Sequence, residues 1–395
     1  MKTQYKIGID CRLAGKRHAG IGRYIENLII RLPNLAKNIE WVYFFYDQEQ
    51  AKEIFETIKP QQQNLQFVFT PIRHYSFAEQ VKLPKIFKHH KLDLLHVPHF
   101  NAPIFYSDKL IVTIHDLLWH QQKGLTVTTL KPWQYWLKYL AYRFITYKTV
   151  QHADQILVPA KTIKQTLTNY YPSAQNKIKV TKEGIDENFS KIQNLKFHPK
   201  VSFIPAEFSF KNSGSEIKIN NYKSKQLIYV GSLYPHKNIQ LVIKALKDLP
   251  QYNLKIVGSR NIFQDKYKKL AQKLNLTRRI IFVGYLTDQE LIEELKQSFA
   301  LVQPSLSEGF GLTGVEAMSA GLPVLASDIE IFKEIYQDAP IYFDPHDPSS
   351  FIAAVKKLEK TDRKKVINKG FAIVKNYDWD KMVNQTLSVY EKILN

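Results

Sequence analysis

Short apolar segments recur along the chain, and most of them lead through a loop into a helical pattern. The clearest in the first half are YKIGID at 5–10, WVYFFY at 41–46, LQFVFT at 65–70, LDLLHVPHF at 92–100 and LIVTI at 110–114. Later segments of the same kind are QLIYV at 226–230, LVQPS at 301–305 and PVLAS at 323–327. Apolar strands that alternate with helices predict parallel sheets covered by helices, as in doubly wound α/β domains.

The chain is too long, at 395 residues, for one ordinary core and predicts two such domains. Residues 187–225 are polar, lysine-rich and without clear periodicity, which is typical of a connection. We therefore expect a first domain at 1–190, a linker or insertion at 191–225 and a second domain at 226–375. The final segment, 376–395, has the pattern of an amphipathic helix.

Residues 303–328 carry the most informative pattern, a strand followed by a glycine turn, a helix and a second strand. The turn is EGFG at 308–311, Glu316 lies one turn into the helix, and Gly321 and Pro323 end it. A helix that begins after such a turn presents free backbone N–H groups to an anion. On spacing alone, an ordinary βαβ unit with solvated glutamates explains the stretch equally well.

The loop after the first strand contains two glycines, Gly20 and Gly22, with the basic residues Arg17, His18 and Arg23 around them. A loop that only turns the chain needs one glycine, so this composition favours a ligand. It is not a dinucleotide fingerprint, because the third glycine and the acidic end of a second strand are missing.

Histidines follow two of the predicted strands, at the edge where ligands bind in open α/β sheets. His96, His99 and Asn101 end one segment, and His115 with Asp116 ends the next. A metal site is disfavoured, since no carboxylate has suitable spacing. Without further information, His115 is best interpreted as a strand-end histidine bonded to backbone.

The segment 131–148 predicts a long helix in which large apolar residues and basic residues interleave. We interpret it as a core helix whose tryptophans pack on the sheet; the alternative is a basic aromatic surface seated on an anionic leaflet. The apolar positions are Trp133, Trp136, Leu137, Leu140 and Phe144, and the basic ones are Lys131, Lys138, Arg143 and Lys148.

The formal net charge of +20 calls for an anionic partner. No zinc-ligand spacing, RNA-binding signature or DNA-reading helix accompanies the charge, so we expect no nucleic acid partner. A phosphate-bearing substrate or an anionic membrane surface fits better. The single cysteine, Cys11, and the absence of a signal peptide pattern or an apolar run of about 18 residues predict a cytoplasmic location.

Taken together, these motifs resemble the family 4 glycosyltransferases. The donor-sugar signature EGFGLxxxEAMxxGxPVxAS is matched at 308–327, and the opening GIDCR…GIGRY and the element TIHDL also look like this family. The resemblance implies a GT-B fold, with two Rossmann-like doubly wound domains facing a central cleft. It also implies that the last helix crosses back to the first domain.

The resemblance assigns roles to individual positions. Glu316 would hold the ribose hydroxyls, while Glu308 and the backbone near Phe310 would hold the hexose and diphosphate. His115 would lie beside the transferred sugar, and Lys237 would neutralise the donor phosphates. The implied catalytic residues are His115, Lys237 and Glu308, and the implied donor-binding residues are Gly20, Gly22, Ser232, Lys237, Glu308, Gly309, Phe310, Gly311, Leu312 and Glu316.

The sequence departs from the family pattern at three places. Ser232 stands where the family often has a phosphate-binding arginine, for which His236 or Arg260 would have to compensate. Pro159 and Glu183 differ within the elements ADQILVPA and EGID. The pair Asp378 and Asp380 resembles a metal-binding D-x-D, but an N-cap and first-turn acid before a helix is the better interpretation.

The expected function is therefore a retaining hexosyltransferase of surface polysaccharide synthesis, without a metal or other cofactor. The first expected donor is GDP-mannose, and the expected acceptor is a glycan or a lipid-linked molecule. Peripheral attachment of the protein to the inner face of the cell membrane is an alternative to a purely cytoplasmic location. Alternatives are a GT-B sugar-nucleotide epimerase and a non-catalytic nucleotide-sugar-binding or membrane-surface protein.

Overall fold

The computed structural model describes residues 4–15, 18–55, 64–124, 128, 130–186, 189, 225–258 and 262–395. The chain divides into two compact units, one formed by residues 1–184 together with 378–395 and the other by 185–377. Most of the predicted linker lies outside the described residues, as do Arg17 and Arg260.

The first unit is built on a sheet of seven parallel strands in the order β3-β2-β1-β4-β5-β6-β7. Its central strands are apolar and buried on both faces, because helices cover both sides of a parallel sheet. The strands are Tyr5–Asp10 (β1), Ile39–Phe45 (β2), Leu65–Phe69 (β3), Leu94–Val97 (β4), Leu110–Thr113 (β5), Gln155–Val158 (β6) and Ile178–Val180 (β7).

Helices connect these strands, and a short 3₁₀ helix at Pro172–Lys177 precedes β7. The helices of the first unit up to β7 are Ala19–Leu35 (α1), Gln48–Phe55 (α2), Phe77–His89 (α3), Leu118–Gln121 (α4), Pro132–His152 (α5) and Lys161–Tyr170 (α6).

The second unit repeats the design with six parallel strands in the order β10-β9-β8-β11-β12-β13. The strands are Gln226–Val230 (β8), Asn253–Val257 (β9), Ile280–Gly284 (β10), Ala300–Gln303 (β11), Val324–Ser327 (β12) and Ile341–Phe343 (β13). The helices are Ile239–Ala245 (α7), Gln264–Lys273 (α8), Asp288–Gln297 (α9), Leu312–Ser319 (α10), Glu330–Tyr336 (α11), Pro348–Lys360 (α12) and Arg363–Val374 (α13), with 3₁₀ turns at Pro235–Lys237, Leu246–Asp248 and Thr277–Arg279.

Both sheets are doubly wound, as predicted. The strand order reverses between β1 and β4 in the first unit and between β8 and β11 in the second. At such a point the loops that follow two neighbouring strands leave in opposite directions and open a crevice at the carboxyl edge of the sheet. The residues that follow β1, β4, β8 and β11 are therefore the ones placed to bind a ligand.

The last helix, Trp379–Leu394 (α14), belongs to the first unit, where it packs on α1. Tyr390 is fully buried, and its hydroxyl lies 2.5 Å from Nδ1 of His96. The prediction for Asp378 is confirmed, since its side chain caps the helix by accepting hydrogen bonds from the backbone N–H groups of Asp380 and Lys381.

The core interpretation of the tryptophans in α5 is wrong. Trp133 and Trp136 are 65% and 46% exposed, and the other large apolar residues predicted to pack with them are exposed as well. The buried face is formed by tyrosines and β-branched residues, with Tyr135 and Tyr142 among them. Tyrosine is amphipathic, so an apolar pattern alone did not indicate which face of the helix turns inward.

Candidate active site

The candidate site in the second unit lies where the loops after β8 and β11 meet. The backbone N–H of Leu306, in the loop after β11, donates to the carbonyl of His236, in the loop after β8, at 2.7 Å. The two loops come from neighbouring strands on either side of the reversal in strand order. This hydrogen bond therefore ties together the two segments that the sequence predicted to bind a phosphorylated donor.

Lys237 and Glu308 form an ion pair at this junction, with Nζ 2.6 Å from Oε1. Ser305 Oγ donates to the same carboxylate oxygen at 2.8 Å. Burial raises the pKa of Glu308, but the Lys237 charge and hydrogen bond, aided by His236 and Ser305, outweigh it and lower this pKa. The site thus holds an ionised carboxylate beside a lysine, which together can accept from sugar hydroxyls and attract a phosphate.

His236 contributes a neutral ring to this loop. Burial, together with the adjacent Lys237 charge, lowers the pKa of His236 to about 4, against a smaller opposite effect of Glu308. Ser232 lies at the start of the loop, where its carbonyl accepts a hydrogen bond from the Tyr229 hydroxyl at 2.5 Å. An uncharged imidazole does not replace the guanidinium that the family pattern has at Ser232.

The turn before α10 is shaped by Gly311, which takes a left-handed conformation with φ +94°. A Cβ at this position would lie 2.2 Å from the Tyr336 hydroxyl. That hydroxyl lies 2.5 Å from the Gly311 carbonyl and 2.6 Å from Oε1 of Gln303. The tyrosine therefore joins the end of β11 to the start of α10 and requires glycine in the turn.

The remaining donor residues predicted from the sequence lie along this turn and helix. Gly309 is half-buried, and Phe310 is buried with its ring edge-to-face on Tyr377 at 5.3 Å, so its backbone is the part available to a ligand. Leu312 is the first residue of α10, whose opening N–H groups have no partner within the helix. Glu316 is 3% exposed in the second turn.

In the first unit, His115 follows β5 and forms a buried pair with Glu183. Nδ1 lies 3.1 Å from Oε1 of Glu183, and the two side chains are 8% and 5% exposed. The other ring nitrogen, Nε2, is buried without a hydrogen-bond partner among the described residues. A carboxylate can only accept, so in the neutral imidazole this contact favours the proton on Nδ1 and leaves Nε2 as the acceptor.

His96 and His99, expected at the same edge of the sheet as His115, are both buried. His96 lies within β4, which ends at Val97 rather than near residue 100, and burial lowers its pKa to about 3. The Nε2 atom of His96 is hydrogen-bonded to Oγ1 of Thr113 at 2.8 Å, and Nδ1 is hydrogen-bonded to the Tyr390 hydroxyl. Burial also lowers the pKa of His99 to about 3. Across the described residues, no group of three histidine, cysteine or acidic side chains is arranged to hold a metal ion.

Gly20 and Gly22 do not lie in a loop, because α1 begins at Ala19. A Cβ on Gly22 would lie 2.0 Å from the carbonyl oxygen of Gly15, so this glycine is required for backbone packing. Gly20 is exposed in the first turn, where its N–H has no helical partner. Of the two, Gly20 is therefore the one still placed to approach a ligand.

Two features of the first unit were not predicted. Glu183 was noted only as a departure from a family motif, and its pairing with His115 joins positions 68 residues apart. Arg12, with no exposed side-chain surface, bonds both carboxylate oxygens of Asp10 and one of Glu79. The signal for this network was a pair of opposite charges at the end of a buried strand, within the opening GIDCR.

Comparisons with known proteins agree with this architecture. The family Glycosyltransferase Family 4 matches residues 18–189, and Glycosyl transferases group 1 matches residues 213–385. The O-antigen chain mannosyltransferase RfbU of Salmonella typhimurium is 27% identical over 283 residues, 70% of this chain and 72% of that protein. The O-antigen chain mannosyltransferase B of Escherichia coli is 30% identical over 171 residues, 42% of this chain and 45% of its own length.

Among solved structures, a glycosyltransferase from Rickettsia africae ESF-5 matches with a TM-score of 0.68 and 17% identity, over 100% of both chains. The two family matches follow one another along the chain and cover most of the two doubly wound units in turn. The chain is therefore a glycosyltransferase with the GT-B fold, which matches Glycosyltransferase Family 4 in its first part and Glycosyl transferases group 1 in its second.

Proposed function

We propose that this glycosyltransferase moves a hexose, mannose in the first instance, from a nucleoside diphosphate sugar to a glycan or lipid-linked acceptor. The observation that carries the proposal is the Lys237–Glu308 pair at the junction of the loops after β8 and β11. The mannosyltransferase names of the two relatives support mannose, hence GDP-mannose, and their O-antigen role supports assembly of a surface polysaccharide. We also propose that the enzyme is cytoplasmic and that it reaches its acceptor at the inner face of a membrane.

The difficult step in this reaction is departure of the nucleoside diphosphate from the anomeric carbon. Negative charge develops on the leaving phosphate, and a lysine with free helix N–H groups stabilises it most when they are already in place. Lys237 and the first amides of α10 have this character. We assign Glu308 to the hexose hydroxyls and Glu316 to the ribose, and we expect no metal ion to be required.

The stereochemical part of the proposal is retention of configuration. The acceptor hydroxyl would attack from the side of the departing phosphate, which takes up its proton, so no covalent sugar–enzyme bond forms. In the first unit we assign His115 to a hydroxyl of the sugar or acceptor, because its Nε2 is buried and has no hydrogen-bond partner in the part of the chain that the structure describes. Glu183 then acts as a positioning residue, which keeps the imidazole in the required tautomer.

Donor binding is tested by thermal shift with GDP-, UDP- and dTDP-sugars and the free diphosphates, each with and without magnesium. A ligand at a hundredfold excess over its Kd stabilises the folded protein by about 2.7 kcal/mol. We expect GDP and GDP-mannose to raise Tm without magnesium, and Glu316→Gln to abolish most of the shift while Glu294→Gln in the same unit retains it. A protein that no nucleotide stabilises contradicts the donor site, and a shift only with magnesium contradicts a metal-free site.

The proposed transfer and its two alternatives predict different outcomes of a product assay. Hexosyl transfer releases GDP only when an acceptor is present, and NMR of the product reports its anomeric configuration. An epimerase converts the sugar nucleotide into its isomer without any acceptor. A non-catalytic binding protein shows the thermal shift but releases no GDP under either condition.

A further inference from the structure

Helix α5 presents two opposite faces, and the outward one carries large apolar side chains. Trp133, Leu137 and Leu140 are 65%, 63% and 64% exposed. With about 100° of rotation per residue, the exposed apolar residues fall within a band about 100° wide, opposite the buried tyrosines. We call this band the α5 stripe; it consists of Trp133, Trp136, Leu137, Leu140, Phe144 and Tyr147.

Positive charge lies on both sides of the α5 stripe. Arg143 and Lys148 flank it on the helix, and Nζ of Lys148 is 5.9 Å from the centre of the Phe144 ring. Lys138 lies farther round the helix, and Lys131 is the residue just before it. From residue 117 to residue 153 the chain contains no aspartate or glutamate. Such a surface is both apolar and cationic, and a contiguous apolar patch of this kind on a folded protein marks an interaction site.

We propose that the α5 stripe is a docking surface for an anionic lipid bilayer. Tryptophan and tyrosine rings favour the headgroup level, where the apolar body of the ring is buried and its polar edge stays hydrated. Lysine and arginine extend their charged groups toward anionic headgroups while their stems cover apolar surface. A helix lying in the plane of the interface satisfies both kinds of side chain at once.

Charge argues against a second copy of the chain as the occupant. Each chain has a formal net charge of +20, and pairing two α5 stripes would bring their flanking lysines together. Like charges that face each other across an interface are unfavourable, whereas an anionic bilayer offers the complementary charge.

The inner face of α5 connects the stripe to the carboxyl edge of the first sheet. Tyr142 bonds Nδ1 of His120 at 2.5 Å, and its ring packs on Phe100 at 4.9 Å. Phe100 in turn lies 4.1 Å from the ring of His99, just beyond β4. A docked α5 would therefore hold this strand end beside the bilayer. The inference deepens the proposed function and rests on it only for the lipid-linked acceptor, since docking requires neither donor nor transfer.

The test is flotation of the full chain with vesicles of phosphatidylcholine containing phosphatidylglycerol and with vesicles of phosphatidylcholine alone. We expect binding to the anionic vesicles that weakens as salt is added. The apolar variant Leu137→Gln/Leu140→Gln/Phe144→Ser and the charge variant Lys138→Glu/Lys148→Glu should each lose about tenfold or more in affinity. Brominated lipid should quench tryptophan fluorescence of the wild type on binding.

Control variants make changes of the same kind elsewhere in the chain. Ile262→Gln/Ile281→Gln alters residues that are 56% and 48% exposed in the second unit, and Lys360→Glu/Lys375→Glu makes the same change in net charge. Both should bind vesicles like the wild type, and every variant should keep the thermal shift with nucleotide, which separates docking from donor binding.

Three results would overturn the inference. The first is unchanged vesicle affinity in the apolar variant, and the second is an equal loss of affinity in the two control variants. The third is a wild-type dimer, seen by sedimentation without lipid, that the apolar variant dissociates, since this assigns the stripe to a second copy.

Discussion

Lys237 interacts with two anionic groups in our proposal. One is the Glu308 carboxylate, which it contacts in the structure, and the other is the donor phosphate of the proposed reaction. Its Nζ is held 2.6 Å from Glu308, and both side chains are partly exposed, at 20% and 13%. An ammonium group has three N–H donors, so it can keep its hydrogen bond to the carboxylate while it donates another to a phosphate oxygen. The pair therefore pre-positions the charge before the donor arrives.

Replacing Lys237 by alanine should reduce kcat by about a hundredfold, because the charge that develops on the leaving phosphate loses a pre-positioned cation. Steady-state turnover with GDP-mannose measures the change. The loss in stability should be small, about 1 kcal/mol or less, because the pair is partly exposed to solvent.

The matched control for this prediction is Lys255→Ala. Lys255 forms an ion pair with Glu294 at 2.5 Å, and those side chains are exposed to a similar degree, 21% and 26%. Its removal should shift Tm about as much as Lys237→Ala and leave kcat unchanged. Near-normal turnover of Lys237→Ala would exclude Lys237 from the phosphate site.

Glu183→Gln should lower kcat about tenfold while the KM for the donor stays unchanged. A glutamine amide can donate as well as accept, so it permits the imidazole tautomer in which Nε2 is a donor and no longer an acceptor. Nitrogen-15 NMR of the His115 imidazole reports the tautomer directly. If Glu183 had only a structural role, its replacement would leave this tautomer unchanged.

The control is Asp93→Asn in the same unit, where the side chain accepts from the backbone N–H of Lys6 at 2.8 Å. That change should leave both the kcat and the His115 tautomer as they are. A Glu183→Gln enzyme with normal kcat and an unchanged imidazole spectrum would limit Glu183 to packing.

At the level of elements, the segment from β11 to α10 depends on close packing of its turn. Gln303 at the end of the strand donates through Nε2 to Oγ1 of Thr313 at 2.6 Å, while its Oε1 accepts from Tyr336. These contacts fix where the helix begins. The N–H groups that we propose to face the donor phosphate are thus oriented by side chains that do not themselves bind it.

Gly311→Ala should destabilise the second unit by about 2–4 kcal/mol, since it combines left-handed strain with a steric contact. Its matched control is Gly284→Ala, which has a similar φ of +88° but nothing within 4 Å of the added Cβ. The control should cost only about 1–2 kcal/mol. Thermal or denaturant unfolding measures both.

The steric part should be partly relieved by Tyr336→Phe, because the hydroxyl nearest the added Cβ is then gone. A double-mutant cycle with Gly311→Ala isolates this coupling. Equal destabilisation by Gly311→Ala and Gly284→Ala would show that the Tyr336 contact adds nothing to the requirement for glycine.

Elements were predictable where their pattern is local. The strand at 5–10 was predicted with its observed bounds. The end of α10 was predicted from Gly321, which has a left-handed φ of +74° just beyond the helix. The start of α1 was not predicted, because two glycines near a helix N-terminus read as a loop. The close approach of Gly22 to the Gly15 carbonyl explains why the helix has glycine at position 22.

At the scale of the whole molecule, charge and exposed apolar surface act together. The net charge of +20 predicted an anionic partner but did not indicate which surface of the protein binds that partner. The part of the chain that the structure describes has no helix with the length and apolar character needed to cross a bilayer. The proposed attachment uses the exposed surface of α5.

The sequence by itself determined the class of fold, the loops that follow the strands and the residue types of the donor signature. These features depend on neighbours within a strand pleat or a helical turn, so periods of about 2 and 3.6 residues reveal them. The partners of those residues were decided only by tertiary structure. Lys237 meets Glu308 across 71 positions and His115 meets Glu183 across 68, because the order of strands in each sheet brings distant loops together. The outward face of α5 was decided in the same way, since tyrosine and tryptophan are both amphipathic and only packing against the sheet selects which of them is buried.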